Sequence, residues 1–343
     1  MSLMDLTGME TKELESFVND LGEKKFRGNQ IFSWIQQHGI TDISQMTTLT
    51  KQFRDSLKTK AKIQAPHIID ITKSTETYSQ KFLFELDDGM KIESVYLPEG
   101  KRRTVCLSSQ IGCPLDCKFC ATGKMGFIRN LSVGEILGQL LSVKRNIEER
   151  ITNVVFMGMG EPMLNYNNVI KAAKIINDYR GLNISSRKIT ISTVGIAKKI
   201  RKLADDKVPF KLAFSLNATD DKSRNFLMPI NKKFDLEECI LALKYYNQKL
   251  KKRVTLEYVL IAGINDRDED VKNLSSIMKK INCNLNLIPY NPILGENFNR
   301  PNRAQLTRFF EKVSNGGRTI TVRWSQGKDI NAACGQLYAN NHK

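Results

Sequence analysis

The chain has 343 residues, 41% of them hydrophobic and 26% charged, an ordinary globular balance with room for one barrel-sized domain and a small accessory one. No run of about 18 apolar residues occurs, which excludes a membrane-spanning helix. Residues 1–9 lack the apolar core of a signal peptide, so the expected compartment is the cytoplasm. Lys and Arg number 53 against 36 Asp and Glu, a net charge of +17, and that surplus favours a polyanionic partner, nucleic acid first among them. It recurs as Lys101-Arg102-Arg103, as Lys198-Lys199 with Arg201-Lys202, and as Lys249 with Lys251-Lys252-Arg253. Each run alone reads as a solvated face.

In chain order, residues 10–62 read as helical. Glu13, Phe17, Val18 and Leu21 fall at or beside helical spacing, and Ile31, Trp34 and Ile35 share one face. Residues 67–109 switch to strand patterns at 68–72, 81–86, 91–97 and 104–108, with a turn at Asp87-Asp88-Gly89. Apolar runs then recur at 154–157, 189–193, 212–216, 254–261 and 285–289, with a last strand at 319–324. Helical patterns lie near 132–149, 166–180, 196–205, 235–250, 268–281 and 303–315. Strands alternating with helices predict an α/β fold with a parallel sheet. About six such units make a partial or full barrel, with its chemistry at the C-terminal strand ends. The expected divisions are an accessory helical domain over 1–66, a β extension over 67–105 and a catalytic barrel over 106–343.

Seven cysteines in a reducing compartment argue for metal or catalytic chemistry over a disulfide scaffold. Cys113-Pro-Leu-Asp-Cys117-Lys-Phe-Cys120 is C-x3-C-x2-C on the loop after the strand at 104–108. Three thiolates this close suit three irons of a [4Fe–4S] cluster and leave the fourth iron open for the amino and carboxylate groups of S-adenosylmethionine (SAM). Structural zinc needs four ligands, and no second C-x2-C or nearby His supplies the fourth. The spacing is the signature of the radical SAM superfamily. His38, His67 and His342 are the only histidines and form no zinc spacing, which disfavours mechanisms built on a catalytic His.

Met157-Gly-Met-Gly160-Glu161-Pro162 closes the run at 154–157. Glycines there admit a ligand close to the backbone, and a carboxylate accepts from an ammonium group. The string is similar to the Gly-Glu segment with which radical SAM enzymes hold the SAM amino group, although alone it is equally a tight turn. Ser192, Ser215-Leu216-Asn217 and Asn291 end further strands, where turn and cap chemistry explains each equally well. Cys334 lies among small residues beyond the last strand, and Cys106 lies in the strand leading to the cysteine loop. Cys239, on an apolar helix stripe, and Cys283, opening a strand, read as core thiols.

Taken together, Cys106-Leu-Ser-Ser-Gln-Ile-Gly-Cys113, the cysteine loop, Gly126-Phe-Ile-Arg-Asn-Leu131, Gly158-Met-Gly-Glu-Pro-Met-Leu-Asn165, Ser192-Thr-Val-Gly195, Leu227-Met-Pro-Ile-Asn231 and Ala333-Cys-Gly-Gln336 resemble the RlmN/Cfr family of radical SAM RNA methyltransferases, from about residue 20 to Leu337. The resemblance implies a radical SAM partial (β/α)6 barrel that methylates carbon 2 of adenine in 23S ribosomal RNA, at the peptidyl-transferase centre, and in the anticodon loop of certain tRNAs. It implies one [4Fe–4S] cluster on Cys113, Cys117 and Cys120, two SAM consumed per methylation, and an electron donor such as flavodoxin or ferredoxin. In this family one SAM methylates a cysteine matched by Cys334, and a 5′-deoxyadenosyl radical from the other takes hydrogen from that S-methyl group. The methylene radical then joins the base, a carboxylate matched by Glu93 removes the ring proton, and a cysteine matched by Cys106 resolves the adduct through a transient disulfide. The family's SAM contacts match Gly160, Glu161, Ser192, Ser215, Leu216, Asn217 and Asn291, and a monomer is expected. The Cfr branch, which methylates carbon 8, is the rival reading; Pro162 after the Gly-Glu pair sides with carbon 2. A non-enzymatic metal-containing RNA-binding module would explain the charge and the three clustered cysteines but leaves Gly160-Glu161 and the Cys106/Cys334 pair unused.

Overall fold

The structure, a computed structural model, describes residues 3–314 and 319–339. The N-terminal segment opens on β1 (Met4–Asp5) and continues through α1 (Thr11–Asp20), α2 (Phe26–Phe32), a π-helical turn Ser33–His38 and α3 (Lys51–Lys58) to β2 (Ala61–Lys62), which pairs in parallel with β1. The helices start where caps satisfy free amides: Glu10 and Glu13 form a capping box, and Thr50 Oγ1 accepts from Phe53 N at 3.3 Å. Gly28 lets α2 cross α1 closely, since a Cβ there would stand 2.5 Å from Glu15 N. Leu14, Val18, Ile31 and Phe32 belong to the same apolar core as the main sheet. The helical expectation for 10–62 therefore holds, with a two-strand clasp at its ends.

An antiparallel run follows: β3 (His67–Lys73), β4 (Gln80–Glu85), β5 (Lys91–Glu99) and β6 (Arg102–Cys106). Next come β7 (Gln110–Gly112), a short α4 (Ala121–Lys124) and β8 (Phe127–Asn130), then α5 (Val133–Asn146). The alternation proper runs β9 (Asn153–Phe156), α6 (Tyr166–Asn177), β10 (Ile189–Thr193), α7 (Ala197–Asp205), β11 (Lys211–Ser215), α8 (Asp221–Leu227), α9 (Leu236–Leu250), β12 (Val254–Leu260), α10 (Asp268–Lys280), β13 (Cys283–Pro289), α11 (Arg303–Ser314) and β14 (Ile320–Val322). One ten-stranded sheet results, in the order β14-β13-β12-β11-β10-β9-β6-β5-β4-β3. Within it all pairings from β6 to β14 are parallel. Strands covered on both faces carry near-continuous apolar runs, as in residues 154–156 of β9. The sheet ends at β14 without closing, so six βα units form the expected partial barrel.

Three local differences from the sequence reading have simple causes. The β7–β8 hairpin escapes a periodicity search because its strands span three and four residues. β6 is both the last antiparallel strand and the first parallel one, so the β extension and the barrel share it. The last strand contracts to Ile320–Val322, and the expected helix end at residue 315 lies outside the described residues. Among the described residues no helix is long and apolar enough to cross a membrane.

Candidate active site

The C-terminal strand ends open onto one cavity, and Cys113, Cys117 and Cys120 form one side of it. Their loop is bracketed by the β7–β8 hairpin, where Cys113 N donates to Gly126 O at 2.7 Å. The left-handed turn at Asp116 (φ 46°) and the Cys120 N bond to Cys117 O (3.0 Å) shape the loop, and all three cysteines line the same cavity. The C-terminal segment caps the loop: Ala121 N donates to Gly335 O and Thr122 Oγ1 to Leu337 O, each at 2.7 Å. Leu115, Met228, Ile261 and Tyr290 supply apolar walls. Burial pushes the Cys113 thiol up to about 12, Cys120 upward and Cys117 well above its usual range. Such thiols ionise when metal charge replaces the proton. Among the described residues no three His, Cys, Asp or Glu side chains converge on a single-ion site. Three thiols on one cavity wall fit a wider cage, as ligands to three irons of a cubane with the fourth iron open.

Across the cavity, β9 ends at Phe156 and the chain turns through Gly158 and Gly160. A Cβ on Gly158 would meet Leu107 O at 2.7 Å, and Gly160 (φ +94°) would meet Gln110 Cβ at 2.5 Å. Only glycine allows this turn. It delivers Glu161, fully buried, whose carboxylate accepts from Met163 N and Val194 N, both at 3.0 Å. Burial raises this carboxyl to about 7 against the pull of those amides. A bound ammonium must displace the proton, so affinity for a ligand carrying an amino group is expected to fall about tenfold per pH unit below about 7. Glu161→Gln is expected to bind SAM weakly and without this pH dependence. Titration calorimetry on both forms across the acid side of neutrality checks it; a wild-type affinity that stays flat there removes the ammonium contact.

Ser192, Ser215, Asn217 and Asn291 complete the lining. Asn217 sits at φ 53°, its Oδ1 accepting from Val259 N (2.9 Å) and its carbonyl from Asn265 Nδ2 (2.7 Å). Asn291 Nδ2 donates to Cys334 O (3.1 Å) and Ser325 Oγ (2.9 Å), tying the strand ends to the C-terminal segment. Leu216 differs: its side chain is buried behind the cavity, and it contributes through its backbone, which donates to Glu257 O at 2.9 Å. The sequence reading missed Arg224, which is fully buried. Its guanidinium donates to Val194 O, Ser215 O (3.3 Å), Leu216 O (3.1 Å) and Asn231 Oδ1 (2.6 Å), so it pins two strand ends at once. The signal was Leu227-Met-Pro-Ile-Asn231, whose Asn231 is the partner of Arg224. Glu257 and Arg323 were also missed; both line the cavity, Glu257 buried and Arg323 half-buried.

A second cavity of about 310 Å³ adjoins the first and contains Cys106. Cys334, Gly335 and Arg323 line both cavities, so Cys334 stands in their shared wall. No disulfide joins Cys106 to Cys334. Burial pushes the Cys106 thiol up to about 12, the neighbouring Cys334 adds to this, and the Arg323 guanidinium opposes it. Glu93, on β5 beside β6, lines neither cavity. It lies beneath the C-terminal segment, accepting from Tyr338 N at 2.8 Å and pairing with Lys81 at 3.0 Å. Burial raises its carboxyl above the ordinary range, and Lys81 and the Tyr338 amide pull it down. His38 and His67 are exposed, and His342 lies outside the described residues. Cys239 and Cys283 are buried in the core.

Residues 107–274 match the radical SAM superfamily, the class to which this partial barrel and three-thiol cavity belong. Residues 4–63 match the ribosomal RNA large subunit methyltransferase N-terminal domain. The probable dual-specificity RNA methyltransferase RlmN of Pseudothermotoga lettingae is 41% identical, over 98% of each chain. The dual-specificity RNA methyltransferase RlmN of Marinobacter nauticus is 40% identical, over 97% of this chain and 92% of its own. The crystal structure of a radical SAM methyltransferase from Sphaerobacter thermophilus superposes with a TM-score of 0.94 at 38% identity, covering 98% of this chain and all of that one. The chain belongs to the RlmN family of radical SAM methyltransferases. Its cofactors are accordingly a [4Fe–4S] cluster and SAM.

Proposed function

We propose that this enzyme methylates carbon 2 of adenine in 23S ribosomal RNA, at the peptidyl-transferase centre, and in the anticodon loop of certain tRNAs, with Cys334 as the methyl carrier. One observation carries the reading: Cys334 borders both the cavity of the three clustered cysteines and Glu161 and the cavity of Cys106. A methyl group on its sulfur is thus accessible to cofactor from one side and to a base from the other. Cys113, Cys117 and Cys120 hold the cluster; Gly160 and Glu161 hold the amino-acid end of SAM. Ser192, Ser215, Asn217 and Asn291 hold the remainder, with Leu216 framing them through its backbone. Bound together, and given an electron from a flavodoxin or ferredoxin, the cofactors supply a 5′-deoxyadenosyl radical. Glu93 takes the proton from the ring carbon, with Lys81 opposing the rise that burial imposes on its carboxyl. The Cys106 thiolate attacks the Cys334 sulfur; the electron pair of the sulfur–carbon bond leaves with the methylene, which takes up a proton to become the methyl group, and a disulfide is left for an external thiol to reduce.

The division of labour follows: residues 1–66 as the RNA-docking domain, 67–105 as the β extension and 106–343 as the catalytic barrel of a cytoplasmic monomer. The name carried by the relatives and Pro162 after the Gly-Glu pair support carbon 2 over carbon 8. SAM with a fully deuterated methyl group tests the whole reading by mass spectrometry of the digested RNA. The expected product methyl carries two deuteriums, on carbon 2, with the third in 5′-deoxyadenosine. Three deuteriums in the RNA would mean direct displacement and overturn the carrier role of Cys334. Label on carbon 8 would move the chain to the Cfr branch, and RNA binding with no methylation would favour the binding module.

A further inference from the structure

The second cavity holds an aromatic ring that this chemistry leaves unused. Trp324 lies two residues past the end of β14, is 56% exposed and lines the cavity with Cys106 and Cys334. Isolated exposed apolar side chains are common and need no explanation. Trp324 differs in two respects. Of the large exposed hydrophobic side chains among the described residues, it alone lines this cavity. Its indole N–H also makes no hydrogen bond among the described residues, whereas Trp34, the chain's other tryptophan, donates to Thr48 Oγ1 at 2.9 Å. At about 310 Å³ the cavity sits at the lower end of ligand-pocket sizes, a fit for one planar base.

The reaction proposed above creates a need for such a ring. A ring carbon within a stacked base is out of reach, so the base must leave its stack, and the enzyme must replace the stacking that is lost. Exposed aromatic rings do this for single-stranded RNA, since every base has a π face. The net charge of +17 draws the phosphate backbone to the surface but does not hold one base. From the Trp324 ring, its exposure and its place beside Cys106 and Cys334, we infer that Trp324 is the stacking platform on which the extruded adenine rests. The inference deepens the RNA-methyltransferase reading and rests on it.

The test uses the full chain carrying Trp34→Phe, which leaves Trp324 as the sole tryptophan. Two RNA hairpins serve as probes: one with a single adenine in its loop, the other abasic at that position. The adenine hairpin is expected to quench Trp324 emission and the abasic one to leave it unchanged. Trp324→Ala is expected to weaken binding of the adenine hairpin by about 5- to 100-fold with no change for the abasic one, and Trp324→Phe to restore most of the loss. Unchanged circular dichroism and iron content in Trp324→Ala exclude misfolding as the cause. Absent quenching, or equal weakening of both hairpins, would overturn the stacking role. If Trp324→Ala methylates RNA with an unaltered KM, the stacking role falls and the enzyme reading stands. If the unmodified chain methylates no RNA at all, the enzyme reading falls, and the inference with it.

Discussion

Cys117→Ala is expected to yield a folded chain that holds no iron–sulfur cluster and cleaves no SAM. Cys117 is buried, shares its cavity with Cys113 and Cys120, and faces walls of Leu115, Met228 and Tyr290. The one other thiol that lines this cavity is Cys334, on the C-terminal segment that caps the loop, where Asn291 Nδ2 donates to its carbonyl. The iron that loses its anchor therefore has no replacement ligand, and two thiolates do not retain a cubane. Cys113→Ala and Cys120→Ala are expected to behave alike. Iron content after anaerobic reconstitution and 5′-deoxyadenosine production are the measurements, and a loss to background is the expected size. Full iron content in any one of the three variants would place the cluster elsewhere. Zinc uptake with no iron would support the binding module.

The second large effect separates two thiols of the same chemistry. Cys334→Ala is expected to retain the cluster and bind RNA but to transfer no methyl group, because the carrier sulfur is missing. Cys106→Ala is expected to stop one step later. The carbon–sulfur bond to the base forms, but no thiol reaches the Cys334 sulfur to break it. Cys106 is buried and lines the adjoining cavity, and the other thiols that line cavities with Cys334 are those of the C-x3-C-x2-C loop. The result is a covalent protein–RNA species that survives denaturing electrophoresis and is absent from the double variant. Normal turnover by Cys106→Ala would remove its resolving role. Arg323, which lines both cavities, opposes the upward shift that burial imposes on the Cys106 thiol and so favours its attacking thiolate.

Part of the site and most of the fold are legible in the order of residues alone. The C-x3-C-x2-C spacing puts three ligands within eight positions, and a loop that short cannot separate them widely, so the cluster site is a local property. The six βα units are legible for a similar reason, since strand and helix periods repeat within about ten to fifteen residues. Cys106 and Cys334 are a different case. They lie near opposite ends of the barrel sequence, and their pairing is carried by family resemblance, with no spacing to derive it from.

What the sequence by itself determined is the inventory: three clustered thiols, a glycine-rich segment ending in Glu161, a surplus of positive charge and the order of strands and helices. Each depends on residues close in the chain, where covalent geometry and side-chain periodicity act directly. Only the tertiary structure decided that Cys334 stands in the wall between two cavities, that Arg224 pins the ends of β10 and β11, that Leu216 acts through its backbone, and that Glu93 lies under the C-terminal segment on Lys81. Burial and proximity between distant segments follow from how the sheet curves and what packs across its strand ends, and no local pattern encodes them. An arginine such as Arg224 reads as surface charge in a string of residues; desolvation and four acceptors around its guanidinium make it a structural pin.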